Sequence, residues 1–368
     1  METYLVGGAV RDELLGHPFT EKDWVVVGAR PEDLLEQGYT PVGKDFPVFL
    51  HPESKEEFAL ARTERKQGHG YTGFAVHAAP EVSLEEDLRR RDLTVNAMAR
   101  DPDGHLIDPY GGQRDLEARV LRHVSPAFVE DPLRVLRTAR FAARYHHLGF
   151  HIAPETLALM GEIVTQGELE HLPAERVWTE TEKALHEADP AVYIAVLKAC
   201  GALAALAPEL DRRSDAALAQ LTAAAAHSDD SALRFAALVH GLEPPALERL
   251  CERLKVPRRH RELALLLAAQ AGRAARARTL SSEELLVLLE AAGALRDNGR
   301  FEAFIEGAAA LAGDDFPADY LRRARDLARD VSAASFVAEG LTGKAIGQAM
   351  EAERIRRLNA LAVSPAGE

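Results

Sequence analysis

The chain has 368 residues and a formal net charge of −14, with 47% of residues hydrophobic and 28% charged. That length exceeds what one hydrophobic core usually supports, so two or more domains are expected, and no apolar run approaches the roughly 20 residues of a membrane-spanning helix. The acidic balance excludes a surface coated for general nucleic-acid binding, which needs Lys and Arg against phosphate; Cys200 and Cys251, far apart in sequence, exclude a disulfide framework.

The start, METYLVGG, lacks a basic stretch followed by an apolar stretch and a small-residue cleavage site, so the expected location is cytoplasmic. The first hundred or so residues alternate short β-rich runs with turns: YLVGG, WVVVG, PVFL and EFALAR. Helical stretches lie between them, AVRDELLG stopping at Gly16 and PEDLLEQG at Gly38, glycines suited to C-terminal stops. MARDPDGHLID reads as a hairpin closed by a two-residue turn at Asp103-Gly104. From about Gln113 the periodicity becomes helical. DPLRVLRTARFAARYHH is the strongest helix, with Glu130 and Asp131 at its start and Pro132 in its first turn. The predicted fold class is α+β: a head with a small mixed or antiparallel sheet, followed by all-α segments.

Four stretches carry chemistry. VGGAVRD follows a strand and opens a helix, where Gly7 and Gly8 can bring backbone N–H groups to a phosphate and Arg11 supplies charge; the alternative is a structural turn with Arg11 on a solvated face. Glu21 and Asp23 stand two apart at the mouth of WVVVG, so in a strand both face one side. Such hard oxygen donors suit Mg²⁺, and without context they are equally two exposed acids flanking Lys22. Glu57, in EEFALAR, is a third carboxylate if its strand pairs beside the first. In RRRDLTVNAMA, Asp92 can cap a following helix while Thr94 and Asn96 reach inward or cap locally, and Arg91 offers a planar fork to a phosphate or ribose; the alternative is a helix start with charge outside. Further arginines cluster at 134–144, 255–261, 273–278 and 322–329, the last three compatible with an RNA groove or with solvated helix faces.

Taken together, GGAVRD at 7–12, the acidic pair of EKD at 21–23, RRDLTVNA at 90–97 and EDPLRVLRTARFAAR at 130–144 resemble the class II tRNA nucleotidyltransferases, or CCA-adding enzymes, relatives of bacterial poly(A) polymerases. The four motifs fall in that family's order and spacing. The resemblance is close over about the first 200 residues and thins in the helical half. It implies a nucleotidyltransferase head over 1–112, a helical neck that selects the nucleotide over 113–200, a helical body over 201–310 and a tail over 311–368 that contacts tRNA. It implies Mg²⁺ on Glu21 and Asp23 and nucleotide contacts from Gly8, Arg11, Arg91, Arg137 and Arg140; the candidate site also takes in Glu57 as a catalytic carboxylate and Asp92, Asn96, Asp131 and Arg134 as nucleotide-binding residues. The family commonly carries Asp where this chain has Glu21.

The implied reaction is template-independent addition and repair of the 3′-terminal CCA of tRNA from CTP and ATP, with release of pyrophosphate; the implied partners are tRNA, CTP and ATP, with no membrane. Residues three apart advance about 300° around a helix, so Asp131, Arg134 and Arg137 lie within roughly 120° of one another. An acceptor on Asp131 beside a donor on Arg134 matches the Watson–Crick edges of cytosine and adenine. Uracil and guanine present the reverse order, a mismatch that reaches about 10⁴-fold. The rivals are an enzyme adding only A or only CC, a poly(A) polymerase, and a non-catalytic RNA-binding protein. RKQGHGYTGFAVHAAP, residues 65–80, matches the loop family members use in switching from C to A, which favours the complete reaction over CC alone. FAALVHGLEPP stands where some relatives carry a His-Asp phosphohydrolase. Here Gly241 follows His240 and no histidine-rich stretch comes after, so no such activity is expected and His240 reads as a structural helix residue.

Overall fold

The computed structural model describes residues 1–42, 48–66, 74–296 and 299–363. They divide into two units, Met1–Asp211 and Arg212–Glu368. The centre of the 65–80 loop, residues 67–73, lies outside the described residues.

In the first unit, β1 (Glu2–Val6), β2 (Asp23–Val27), β3 (Thr40–Val42), β4 (Val48–Leu50) and β5 (Glu57–Leu60) belong to one sheet, while β6 (Arg62–Lys66) and β7 (Phe74–Ala78) pair separately as an antiparallel ribbon. With β8 (Ala99–Arg100) and β9 (Leu106–Ile107) the main sheet has seven strands in the order β3-β4-β5-β2-β1-β8-β9. It is mixed: β2 and β5 run parallel and the other neighbours antiparallel. Successive residues of β2 point to opposite faces. Val25 packs with Val6, Ala61 and Leu88, and Val26 packs with Leu34, Phe49 and Phe58. Burial on both faces explains why WVVVG is a continuous apolar run rather than an alternating one.

The helices of this unit include α1 (Gly8–Leu15), α2 (Pro31–Glu36), α3 (Leu84–Arg89), α4 (Gly112–Glu117), α5 (Leu133–Tyr145), α6 (Pro154–Thr165), α7 (Ala174–His186) and α8 (Pro190–Ala199). α1 ends at Gly16 in the left-handed conformation, φ +67°, as its sequence predicts. α3 starts on a reciprocal capping box between Ser83 and Glu86. α5 packs against both α7 and α8 and is buried almost all round, including Arg134 and Arg140.

Two local expectations change. The hairpin at 99–107 is present, but Pro102 occupies the second position of a four-residue turn, and Gly104, at φ +87°, donates its N–H to the Asp101 carbonyl. A two-residue turn at Asp103-Gly104 would require Pro102 to close the strand ladder without an N–H. The second change follows residue 113: β10 (Val120–Leu121) and β11 (His151–Ile152) form a small parallel pair amid the helices.

The second unit is built of helices among its described residues, from Ser214–His227 to Lys344–Val363, around Leu221, Phe235, Leu267, Leu289 and Phe304. Two of its basic clusters are partly paired at the surface: Arg258 with Glu262, Arg259 with Asp230, and Arg322 and Arg325 with Glu302. No helix among the described residues is long and apolar enough to cross a membrane.

Candidate active site

The carboxylates are set by strand register. β2 and β5 run parallel with Asp23 opposite Glu57, which puts both acids at the same end of neighbouring strands. Glu21 precedes β2 rather than lying in it, so alternation along a strand does not place it; the loop carries it to the same cleft, which it lines with Asp23 and Glu57. Burial raises the Asp23 carboxyl above its ordinary range, Arg91 opposes that shift, and the charge of Glu21 adds to it. Among the described residues the three acids do not converge as tightly as Asp101, Asp103 and His105 do in the exposed hairpin.

The cleft, about 900 Å³, runs from these acids to α5 and α7. On an acidic protein it gathers nine arginines and Lys183 against six carboxylates, a concentration of positive charge suited to a polyphosphate. Of the glycine pair, Gly7 spends its N–H on the Met98 carbonyl at 3.2 Å. Gly8 opens α1, where first-turn N–H groups have no partner within the helix. Gly7 is needed for another reason: its φ is +71°, and a Cβ there would stand 2.8 Å from Arg91 Nη1.

Arg91 is tethered rather than loose. Its Nη2 donates to Asp87 Oδ2 at 3.3 Å, its Nη1 reaches the Asn96 carbonyl at 3.5 Å, and its buried Nε has no partner. Asp92 does not cap an α-helix; Thr94–Asn96 is one 3₁₀ turn. Asp92 Oδ1 accepts from the Leu93 N–H at 2.9 Å and from Asn96 Nδ2 at 3.0 Å, and Oδ2 accepts from Arg137 Nε at 2.8 Å. Burial alone would raise this carboxyl. The Arg137 charge and the Asn96 and Arg137 hydrogen bonds outweigh burial and hold it well below the usual range. Arg11, 3% exposed, is bound through Nε and Nη2 to Asp12 and through Nη1 to Asn96 Oδ1.

On the α5 side Asp131, Arg134, Arg137 and Arg140 all line the cleft, although α5 begins only at Leu133 and Asp131 stands before it. Asp131 Oδ1 accepts from the Leu133 N–H at 3.1 Å, and Arg176 approaches Oδ2 at 3.4 Å. Arg134 donates from Nη1 to the Ala127 carbonyl and from Nη2 to the Arg90 carbonyl, both at 2.6 Å. Arg140 donates from Nε to Glu180 at 2.8 Å and from Nη1 to Glu187 at 3.1 Å, and lies 4.6 Å over the Phe141 ring.

Several residues that build the site escape a sequence reading. Asp87 is fully buried and binds Arg90 and Arg91, and the spacing of three and four residues along α3 is a signal that points to it. Arg176 and Lys183 carry no such signal, because α7 meets the cleft only through its packing on α5.

Residues 3–122 match the family model described as the poly A polymerase head domain, and residues 149–213 match one described as a probable RNA and SrmB-binding site of polymerase A. The chain is similar to a CCA-adding enzyme of Pseudomonas putida (strain W619), 54% identical over 364 residues that cover 98% of each chain. It is 50% identical to a multifunctional CCA protein of Thioalkalivibrio sulfidiphilus over 403 aligned residues, 98% of each chain. That alignment is longer than the 368 residues here, so this relative carries residues with no counterpart in the present chain. Among solved structures it is similar to the Bacillus stearothermophilus CCA-adding enzyme in complex with CTP, with a TM-score of 0.70, 25% identity, and coverage of 97% of this chain and 89% of that one.

Proposed function

The chain belongs to the CCA-adding enzymes, and from that membership we propose that it adds and repairs the 3′-terminal CCA of tRNA from CTP and ATP. The observation that carries this reading is one cleft joining Glu21, Asp23 and Glu57 to a wall of arginines. We assign the finer division into head, neck, body and tail, and a cytoplasmic location, on the same basis.

Mg²⁺ fits the donor set. Asp23 stands exposed at the end of β2, only partly shielded by the cleft walls and repelled by Glu21, and a hard divalent cation relieves that repulsion through the oxygen ligands it prefers. Glu21 and Asp23 would hold it, and when bound it supplies Lewis-acid stabilisation of phosphoryl oxygens. The protein's own part is orientation and charge. The tRNA 3′-hydroxyl gives its proton to water as its oxygen attacks the α-phosphorus of the nucleotide; the new P–O bond forms, the α–β bridging P–O bond breaks, and its electron pair leaves with pyrophosphate. The Gly8 N–H, Arg11 and Arg91 bind the triphosphate, and Glu57 completes the acidic end.

Asp131 and Arg134 read the base. Both are held by bonds to backbone and neighbours, so the acceptor–donor pair meets cytosine or adenine without reorganising. Uracil and guanine instead set an acceptor against half-buried Asp131 and a donor against buried Arg134, and the mismatch is worth up to about 10⁴-fold. The test is incubation with tRNA lacking its CCA end, Mg²⁺ and each labelled triphosphate in turn. Incorporation of C and then A, with U and G refused, is expected. Incorporation of A alone or C alone points to a partial enzyme, long A tails to a poly(A) polymerase, and no incorporation to a binding protein.

We propose further that the second unit has no His-Asp phosphohydrolase activity. Arg213 Nη1 donates to the His240 carbonyl at 3.1 Å, and its guanidinium stands where a Cβ on Gly241 would be, 2.4 Å away. Gly241 also has φ +82°, a conformation that side-chain-bearing residues rarely adopt. Gly241→Asp is therefore expected to lose about 1–3 kcal/mol of stability, chiefly from the left-handed backbone, since the Arg213 guanidinium can swing aside, and to release no phosphate from 2′,3′-cyclic nucleotides with Ni²⁺. Phosphate release by either protein would remove this reading.

A further inference from the structure

Along the wall of the cleft, polar groups, all buried except the half-buried Arg137, form a closed circuit that starts and ends on α5. The Tyr145 hydroxyl donates to Asp12 Oδ1 at 2.9 Å. Asp12 grips Arg11 with both oxygens, Oδ1 accepting from Nε at 2.9 Å and Oδ2 from Nη2 at 2.8 Å. Arg11 Nη1 reaches Asn96 Oδ1 at 2.5 Å, Asn96 Nδ2 reaches Asp92 Oδ1 at 3.0 Å, and Arg137 Nε closes the circuit on Asp92 Oδ2 at 2.8 Å. Arg137 and Tyr145 are about two turns apart on one helix face. Phe141 lies between them, beneath the guanidinium groups of Arg11 and Arg137 at 5.1 and 5.8 Å.

Asp12 and Tyr145 do not line the cleft, whereas Arg11 does. Three of the five N–H groups of Arg11 are bound within the circuit. Because the guanidinium is planar, those three bonds fix the direction of the remaining two, one on each terminal nitrogen. Nη2 stands 3.4 Å from where a Cβ on Gly8 would lie, so the fork is held beside the N-terminus of α1. An Arg11 released from Asp12 would sample several rotamers, and each binding event would have to order it again.

We propose that Asp12 and Tyr145 are positioning residues for nucleotide binding, acting through Arg11 to aim it at the triphosphate. The inference rests on the nucleotidyl-transfer reading for the identity of the ligand. It also ties the triphosphate end of the cleft to the base-reading helix through bonds that neither end makes alone.

The test compares wild type, Tyr145→Phe, Asp12→Asn and a control, Tyr193→Phe. Tyr193 is as deeply buried as Tyr145, and its hydroxyl meets Thr181 Oγ1 at 3.0 Å, outside the circuit. Binding of labelled CTP and ATP is measured by equilibrium dialysis, and KM and kcat by extension of tRNA lacking its CCA end. Tyr145→Phe and Asp12→Asn are expected to raise Kd and KM about tenfold for both nucleotides while kcat stays within about threefold. Tyr193→Phe should keep wild-type Kd. In an Arg11→Lys background, Tyr145→Phe should add less than about twofold, because both changes cut the same chain. An unchanged Kd in Tyr145→Phe, an equal rise in Tyr193→Phe, or full additivity with Arg11→Lys would overturn the proposal. If Tyr145→Phe does not fold, Asp12→Asn is judged by the same outcomes. A wild-type protein that binds CTP yet fails to extend tRNA would defeat the nucleotidyl-transfer reading alone, and the Kd comparison would still decide the role of Asp12 and Tyr145.

Discussion

Asp23→Ala is expected to cut nucleotide incorporation into tRNA by at least about 10³-fold, since a carboxylate that anchors a Lewis acid supports several kcal/mol of transition-state stabilisation. The same change should not cost stability. Asp23 has a carboxyl raised by burial and by Glu21, so its charged form is disfavoured in the folded protein. A raised acid binds its proton more tightly when folded, so stability falls as pH climbs from the unfolded pKa through the folded one. Removing the group removes that penalty, which is small because Asp23 is exposed to solvent, so at neutral pH the variant should melt close to the wild-type temperature while tRNA binding stays largely intact. Retained turnover would take Asp23 out of the site; a large drop in melting temperature would contradict the electrostatic account.

The second large effect is on the fold itself. Asp92→Asn removes the counter-charge of Arg137 and weakens the hold on Asn96, at a position 6% exposed. Breaking one side of a buried ion pair costs about 3–5 kcal/mol, and the lower end applies here because the Arg137 side chain keeps 36% of its exposure. Denaturant unfolding at pH 7 measures it. The pH dependence has a definite sign. Asp92 is depressed in the folded state, so its contribution is present above the unfolded carboxyl pKa near ~3.9 and is lost as pH falls below that. The gap between wild type and variant should therefore be widest at neutral pH and close in acid. A gap of the same size at pH 3 would assign the loss to packing rather than charge.

The site was unevenly legible before the fold was known. Local chemistry was readable where it depends on neighbours in sequence: Gly16 as a helix stop, WVVVG as a strand, the apolar and arginine pattern of α5. Glu57 could be suspected only conditionally, because its value depends on β5 lying parallel beside β2, a pairing between segments more than thirty residues apart. Asp92 has the sequence setting of a helix cap and is instead the meeting point of Asn96 and Arg137. A residue's short-range options look alike in sequence, and the partner that wins is chosen by which helix packs over it. The unit 2 clusters behaved in the opposite way: arginines suggestive of a groove are partly consumed by Glu262, Asp230 and Glu302.

By itself, then, the amino-acid order determined the kinds of chemistry available: glycines at a strand-to-helix turn, two acids ahead of an apolar strand, and arginines phased along a helix, since propensity, capping and spacing act over a few residues. Only the tertiary structure decided which of those groups confront one another. It turned Arg11 inward onto Asp12 and Asn96, fixed Arg134 on two carbonyls, and brought Arg176 to Asp131. Buried charges must find partners wherever packing supplies them, and packing is settled by the whole chain.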